Sequence, residues 1–215
     1  MRGKKLTLST VLVFLVVSGW AASGLAYTTR IHIVLANKVR QKLVASTDNS
    51  VQLEKSGYRI VYSQEDADAI INYPAAFRAG AIGPDNFVFP GLADASHAIG
   101  LFPFNQCNYL YEAAVNAEER AYALGCFLHG TTDAMAHHFV NYLGGETFTL
   151  NPLEAGRGEA WDNVIEHILA EATVQGAAVA LEPGAFAADQ LMFQTPRGFV
   201  QRVYYQEGSP VWRLA

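Results

Sequence analysis

The sequence predicts an all-α fold: a single-domain helical bundle with few or no strands. Three observations predict it. One helical pattern, rich in Ala, Leu and Met and free of Pro, fills residues 109–143. A second runs over 159–180, with Trp161, Val164, Ile165, Ile168 and Leu169 as its apolar face. No repeat, low-complexity tract or linker divides the 215 residues, a length that suits one domain with a real core.

The elements follow in order. Residues 1–26 read as a secretory signal peptide, leaving 27–215 as the folded domain. Arg2, Lys4 and Lys5 make a basic start, residues 11–17 an apolar run, and Gly24-Leu25-Ala26 a small-residue end. A membrane anchor is the other reading, but the run is short for a span. Cleavage after Ala26 makes Tyr27 the first residue. Thr28 and Thr29 suit the N-cap of a helix to about residue 45, with His32 in its first turn. Residues 46–50 form a polar loop, and 58–62 a short strand or extended link. Ser63-Gln64-Glu65-Asp66 resembles a capping box and opens a helix that ends before Pro74. Residues 75–81 form a short helix, then Gly83-Pro84-Asp85-Asn86 turns into an aromatic stretch. Gly144-Gly145 stops the long helix, and Pro183-Gly184 breaks the second. Thr195-Pro196 starts a last helix through Tyr205.

The net charge is −5, and loss of the three basic residues of the leader takes it to −8. So acidic a chain is a poor partner for nucleic acid, which calls for a basic footprint. No obligate protein partner is evident. Cys107 and Cys126 are open to two readings, a disulfide or two buried thiols.

Function gathers in the long helix. His129, Asp133 and His137 recur every four residues. A helix turns about 100° per residue, so the three span only about 80° and share a face. His138 lies about 180° from His129 and should point elsewhere. A carboxylate between two inward imidazoles is costly unless a cation offsets it, and borderline metals such as zinc use such ligands. On the second helix His167 and Glu171 are again four apart. Alone they would be an ordinary surface pair. Beside the first trio they look like the opposite wall of a metal cleft.

The order of these motifs resembles the zinc-dependent phospholipase C family. That family includes phosphatidylcholine-type enzymes, the catalytic part of glycosylphosphatidylinositol phospholipase D and, distantly, single-strand zinc nucleases. An early His (His32) is followed by the stretch from Asn72 to Gly83-Pro84-Asp85, then His97, then His129, Asp133 and His137, then His167 and Glu171. The match leaves only His138 among the six histidines. The resemblance implies a helical bundle with a multinuclear cleft holding three Zn2+. His97, His129 and Asp133 would hold one, with Asp85 beside it. His137, His167 and Glu171 would hold the second. His32, a bridging oxygen of Asp133, and the amine and carbonyl of Tyr27 would hold the third. The family usually starts on Trp, and its secreted bacterial phospholipases space the Asp and the following His more widely. His138 is the alternative ligand if the helix is locally distorted.

The implied activity is phospholipase C-type hydrolysis of phospholipid head groups by a secreted or periplasmic phosphodiesterase that touches the membrane surface transiently. Asp85 would orient or deprotonate the attacking water. In isolation Asp85 reads as a turn residue. Tyr73, Phe77, Phe87 and Phe89 could receive an acyl chain or head group, or belong to the core. The alternatives are a nuclease or nucleotidase on the same site, and a secreted binding module stapled by metal.

Overall fold

A computed structural model describes residues 27–53, 57–84, 105–143 and 160–206. Within them it leaves out the side chains of residues 27, 28, 105, 134, 135, 137–139, 141, 142, 160–168 and 205. Residues 1–26, read above as a leader, and Asp85, Phe87, Phe89, His97 and Gly144-Gly145 lie outside the described residues.

The described chain is mostly helical. Helix α1 spans Tyr27–Ala45. A small antiparallel hairpin follows, β1 (Ser50–Gln52) and β2 (Arg59–Val61), with Val51 opposite Ile60. Then come α2 (Gln64–Asn72), α3 (Pro74–Ala81), α4 (Asn105–Ala113), α5 (Ala117–Leu143) and α6 (Ala160–Leu181). Two 3-10 segments, Pro183–Phe186 and Ala188–Leu191, lead to a single π-helical turn at Gln201–Tyr205. The hairpin qualifies the all-α expectation. Val51 is the strand residue buried in the core, whereas β2 is exposed along its length, Ile60 opposite Val51 included.

Some local signals act as their chemistry dictates. Ser63 caps α2 by accepting from the Asp66 amide at 3.1 Å. Pro74 sits in the first turn of α3, where a missing N–H costs nothing. Others need correction. Thr28 and Thr29 lie inside α1, which already includes Tyr27, so they are not its cap. The single helix expected over 109–143 is two, parted at residues 114–116. A reciprocal cap causes the break: the Glu119 amide donates to Asn116 Oδ1 (3.0 Å) and the Val115 amide to Glu119 Oε2 (2.9 Å). Arg202 then pairs with Glu119 at 2.6 Å and donates to the Ala113 carbonyl at the end of α4. On α6, Leu169 is 56% exposed, not part of an apolar face. Among the side chains described on α6 the buried ones are Ala170 and Gln175, and α6 packs on α1 and α5.

Helix α5 is the axis of the packing, and α1, α2, α3, α4 and α6 all lie against it. The core around it holds Leu43, Ile70, Phe77, Leu110, Tyr122, Phe199 and Val203. Phe77 is thus a core residue, whereas Tyr73 is 41% exposed. Between α3 and α5 the packing is backbone on backbone. A Cβ on Gly80 would sit 1.8 Å from the Tyr122 carbonyl oxygen, and one on Gly125 2.2 Å from that of Phe77.

Cys107 and Cys126 form a disulfide between α4 and α5, with their Cα atoms 5.4 Å apart and both side chains buried. Of the two readings left open, the bridge is the one found. Closing a short loop of the unfolded chain should stabilise the fold by about 3 kcal/mol. The Cys107→Ala/Cys126→Ala double variant is expected to lose roughly that amount in urea unfolding. An unchanged midpoint would show that the bridge adds nothing.

Candidate metal centre

The site lies where α1 meets α5. His32 comes from the first turns of α1, and His129 and Asp133 are one turn apart on α5. His32 and His129 are each 2% exposed. Their ring centroids are 4.3 Å apart. The Asp133 carboxylate lies between them, Oδ1 at 3.1 Å from His32 Nε2 and Oδ2 at 2.8 Å from His129 Nε2. Each oxygen therefore faces a different imidazole. One donor atom from each residue falls within 4.8 Å of the others, so the group could hold a metal ion.

The tautomer of His129 tests that fit. Its Nδ1 lies 2.9 Å from the Ala81 carbonyl oxygen, which can only accept, so Nδ1 carries a proton. In the neutral ring Nε2 then presents a lone pair toward Asp133 Oδ2. Two acceptors facing each other at 2.8 Å need a cation between them or a second proton on the ring. An imidazole whose outer N–H is tied to a backbone carbonyl is the usual arrangement of a metal-ligating histidine. Ala81 can reach His129 because Gly80 and Gly125 let α3 lie directly on α5. This support was missed in the sequence, although Gly80 and Gly125 were its visible trace.

The two imidazoles also set the charge of the carboxylate. Burial pushes the Asp133 carboxyl up, but attraction and hydrogen bonds to His129, and then to His32, hold it well below the usual carboxylate range. Asp133 is thus an anion throughout the neutral range.

A cavity of about 70 Å³ adjoins the group. His32, Asp133, Thr132 and Glu171 line it together with Ile31, Ala136, Val140 and Val174. Glu171 therefore comes from α6 to the same space, as the wall opposite α5. His137 lies one turn beyond Asp133 on α5, and His167 one turn before Glu171 on α6; their side chains are outside the described residues, as is that of Tyr27 at the start of α1. Asp85 and His97 lie outside them altogether. The family resemblance assigns His32 and His129 to different ions that share Asp133, and here both histidines face that carboxylate. Comparison with protein-family models, characterised proteins and solved structures finds no match to this chain.

Proposed function

We propose that the chain is a zinc-dependent phosphodiesterase of the phospholipase C type, acting on phospholipid head groups outside the cytoplasm. The observation that carries this reading is Asp133, a buried carboxylate with one oxygen on His32 and the other on His129, whose outer nitrogen Ala81 fixes. His32, His129 and Asp133 would hold the metal there. Glu171 across the cavity supports a further ion, for which His137 and His167 stand one turn away on their helices. In this reading His97, Asp85 and the Tyr27 backbone complete the site. The Cys107–Cys126 disulfide supports an oxidising compartment.

Zinc held by these imidazoles and carboxylates would lower the pKa of a bound water to about 7 and offset phosphoryl charge. The chain's own groups do the rest. Ala81 holds His129 in the tautomer that offers Nε2. Asp133 stays anionic at neutral pH. Ile31, Ala136, Val140 and Val174 keep water from one side of the ligands. Asp85 orients the attacking water and takes its proton.

The test is the metal content of the cleaved, untagged protein, followed by hydrolysis of phosphatidylcholine and of single-stranded nucleic acid side by side. About three zincs per chain and lipid hydrolysis are expected, in line with the ligand count of the proposal. Asp85→Asn should keep its zinc and lose at least about 100-fold in rate. Hydrolysis of nucleic acid alone would replace the substrate. A folded, metal-free protein would replace the enzyme with a binding module.

A further inference from the structure

We infer that the outer edge of β2 pairs with the same edge of a second copy of this chain, joining the two hairpins into one antiparallel sheet about a two-fold axis at Ile60. The hydrogen bonds of the hairpin decide which backbone groups are available. In an antiparallel pair, residues that exchange both bonds alternate with residues whose N–H and C=O point away from the partner strand. The Tyr62 amide donates to the Asn49 carbonyl at 2.9 Å, and the Leu53 amide to the Tyr58 carbonyl at 2.8 Å. With Val51 opposite Ile60, the bonded pairs are Asn49 with Tyr62, Val51 with Ile60 and Leu53 with Tyr58. Arg59 and Val61 therefore turn N–H and C=O outward, where among the described residues no strand meets them. The other edge is blunted: the outward amide of Ser50 on β1 donates to Ser46 Oγ at 2.9 Å.

The side chains along the β2 edge are apolar. Ile60 is 45% exposed, Val61 65% and Tyr58 74%. Edge strands that must stay single carry lysine, proline or a bulge, which discourage pairing. The charge on β2 is Arg59, and Asp48 of the same chain already holds it. Alternation puts Tyr58, Ile60 and Tyr62 on the face of Val51, and Val51 and Tyr62 reach the core. Ile60 is where that apolar face leaves the core and meets the edge.

The register names the occupant. When two β2 edges meet antiparallel with Ile60 on the axis, Arg59 stands opposite the partner's Val61, and Val61 opposite the partner's Arg59. Each such pair exchanges two backbone bonds. The two Ile60 side chains then face each other in the closer, non-bonded kind of pair, and Tyr58 stands opposite the partner's Tyr62. Moving the axis to Arg59 would set two like charges directly opposite, which is destabilising. Moving it to Val61 would set Arg59 against Ser63, which is committed to capping α2. The strand is thus complementary to itself in one register. The contact is isologous, so it closes at two chains and grows no fibre.

The experiment is sedimentation velocity on the folded chain, with its metal content measured, over a range of concentrations. The edge is short, so the contact belongs to the small, transient interfaces, and half of the chains should be dimeric at about 10–100 µM. Val61→Pro removes an outward N–H and no bond of the hairpin itself. It should raise that concentration at least about tenfold, with metal content unchanged. Should Val61→Pro fail to fold, Ile60→Lys, which sets two like charges on the axis, is read in its place. Oxidative cross-linking tests the register. Both native cysteines are in the disulfide, so a single added thiol is the only one to react. Ile60→Cys should cross-link two chains, because the closer pairs hold Cα atoms about 4.5 Å apart, within reach of a disulfide. Val61→Cys is at the more exposed position but faces Arg59, and should cross-link at least about tenfold more slowly, since its partner sulfur is out of reach. A wild-type chain that stays monomeric throughout overturns the pairing, and so does Val61→Cys cross-linking as fast as Ile60→Cys. A monomer that floats with phosphatidylcholine vesicles, and ceases to in Ile60→Lys, overturns it too and gives this face to a lipid surface.

Discussion

Asp133→Ala is expected to empty the metal group and destabilise the domain by about 3–5 kcal/mol, the cost of leaving buried partners uncompensated. The residue faces both imidazoles at once, so its loss removes the only described carboxylate that touches either ring. In the proposed centre the metal content should fall by two ions, and folding should fall with it, because binding and folding are coupled. Asp133→Asn separates charge from volume. It keeps the packing but can anchor a cation only weakly, so it should also lose metal while melting above Asp133→Ala. The pH dependence has a definite sign. The folded state holds this carboxyl below its usual range, so its contribution is complete at neutral pH. It is lost as the pH falls through that range toward the folded value. Metal analysis and thermal melts from pH 7 downward check both statements. Unchanged metal content and melting in Asp133→Ala would remove the centre.

Gly125→Ala is expected to cost at least about 3 kcal/mol, although it adds one methyl group. The methyl would lie 2.2 Å from the Phe77 carbonyl oxygen and 2.7 Å from the Ala81 amide nitrogen, and backbone cannot step aside as a side chain can. The helices must part, and the Ala81 carbonyl moves away from His129. Metal affinity should fall about 10–100-fold, as when a ligand's outer hydrogen bond is lost. Gly176→Ala is the control. It sits on α6 with nothing within 4 Å of the added carbon, and should be neutral or slightly stabilising. Equal stability and metal affinity for the two variants would show that the α3–α5 contact does not position His129.

The sequence made part of this visible. A four-residue step on a helix is a geometric statement, so the meeting of His129 with Asp133 could be read from spacing alone. That His32 joins them could not, because it depends on how α1 crosses α5. The family resemblance placed His32 near Asp133, yet on another ion from His129. The break at 114–116 was written in Asn116 and Glu119, but a continuous helical pattern on both sides masked it. Leu169 read as core because apolar side chains surround it in sequence. The contacts of α6 decide otherwise and bury Gln175 instead.

The disulfide has a consequence for how this chain ages. It joins α4 to α5 across the break at Ala114–Asn116, where Val115 is 77% exposed. A protease that cuts there severs the backbone but not the molecule. Both pieces stay bonded through sulfur, α5 keeps His129 and Asp133 in place, and the nicked protein is a two-chain form of the same fold.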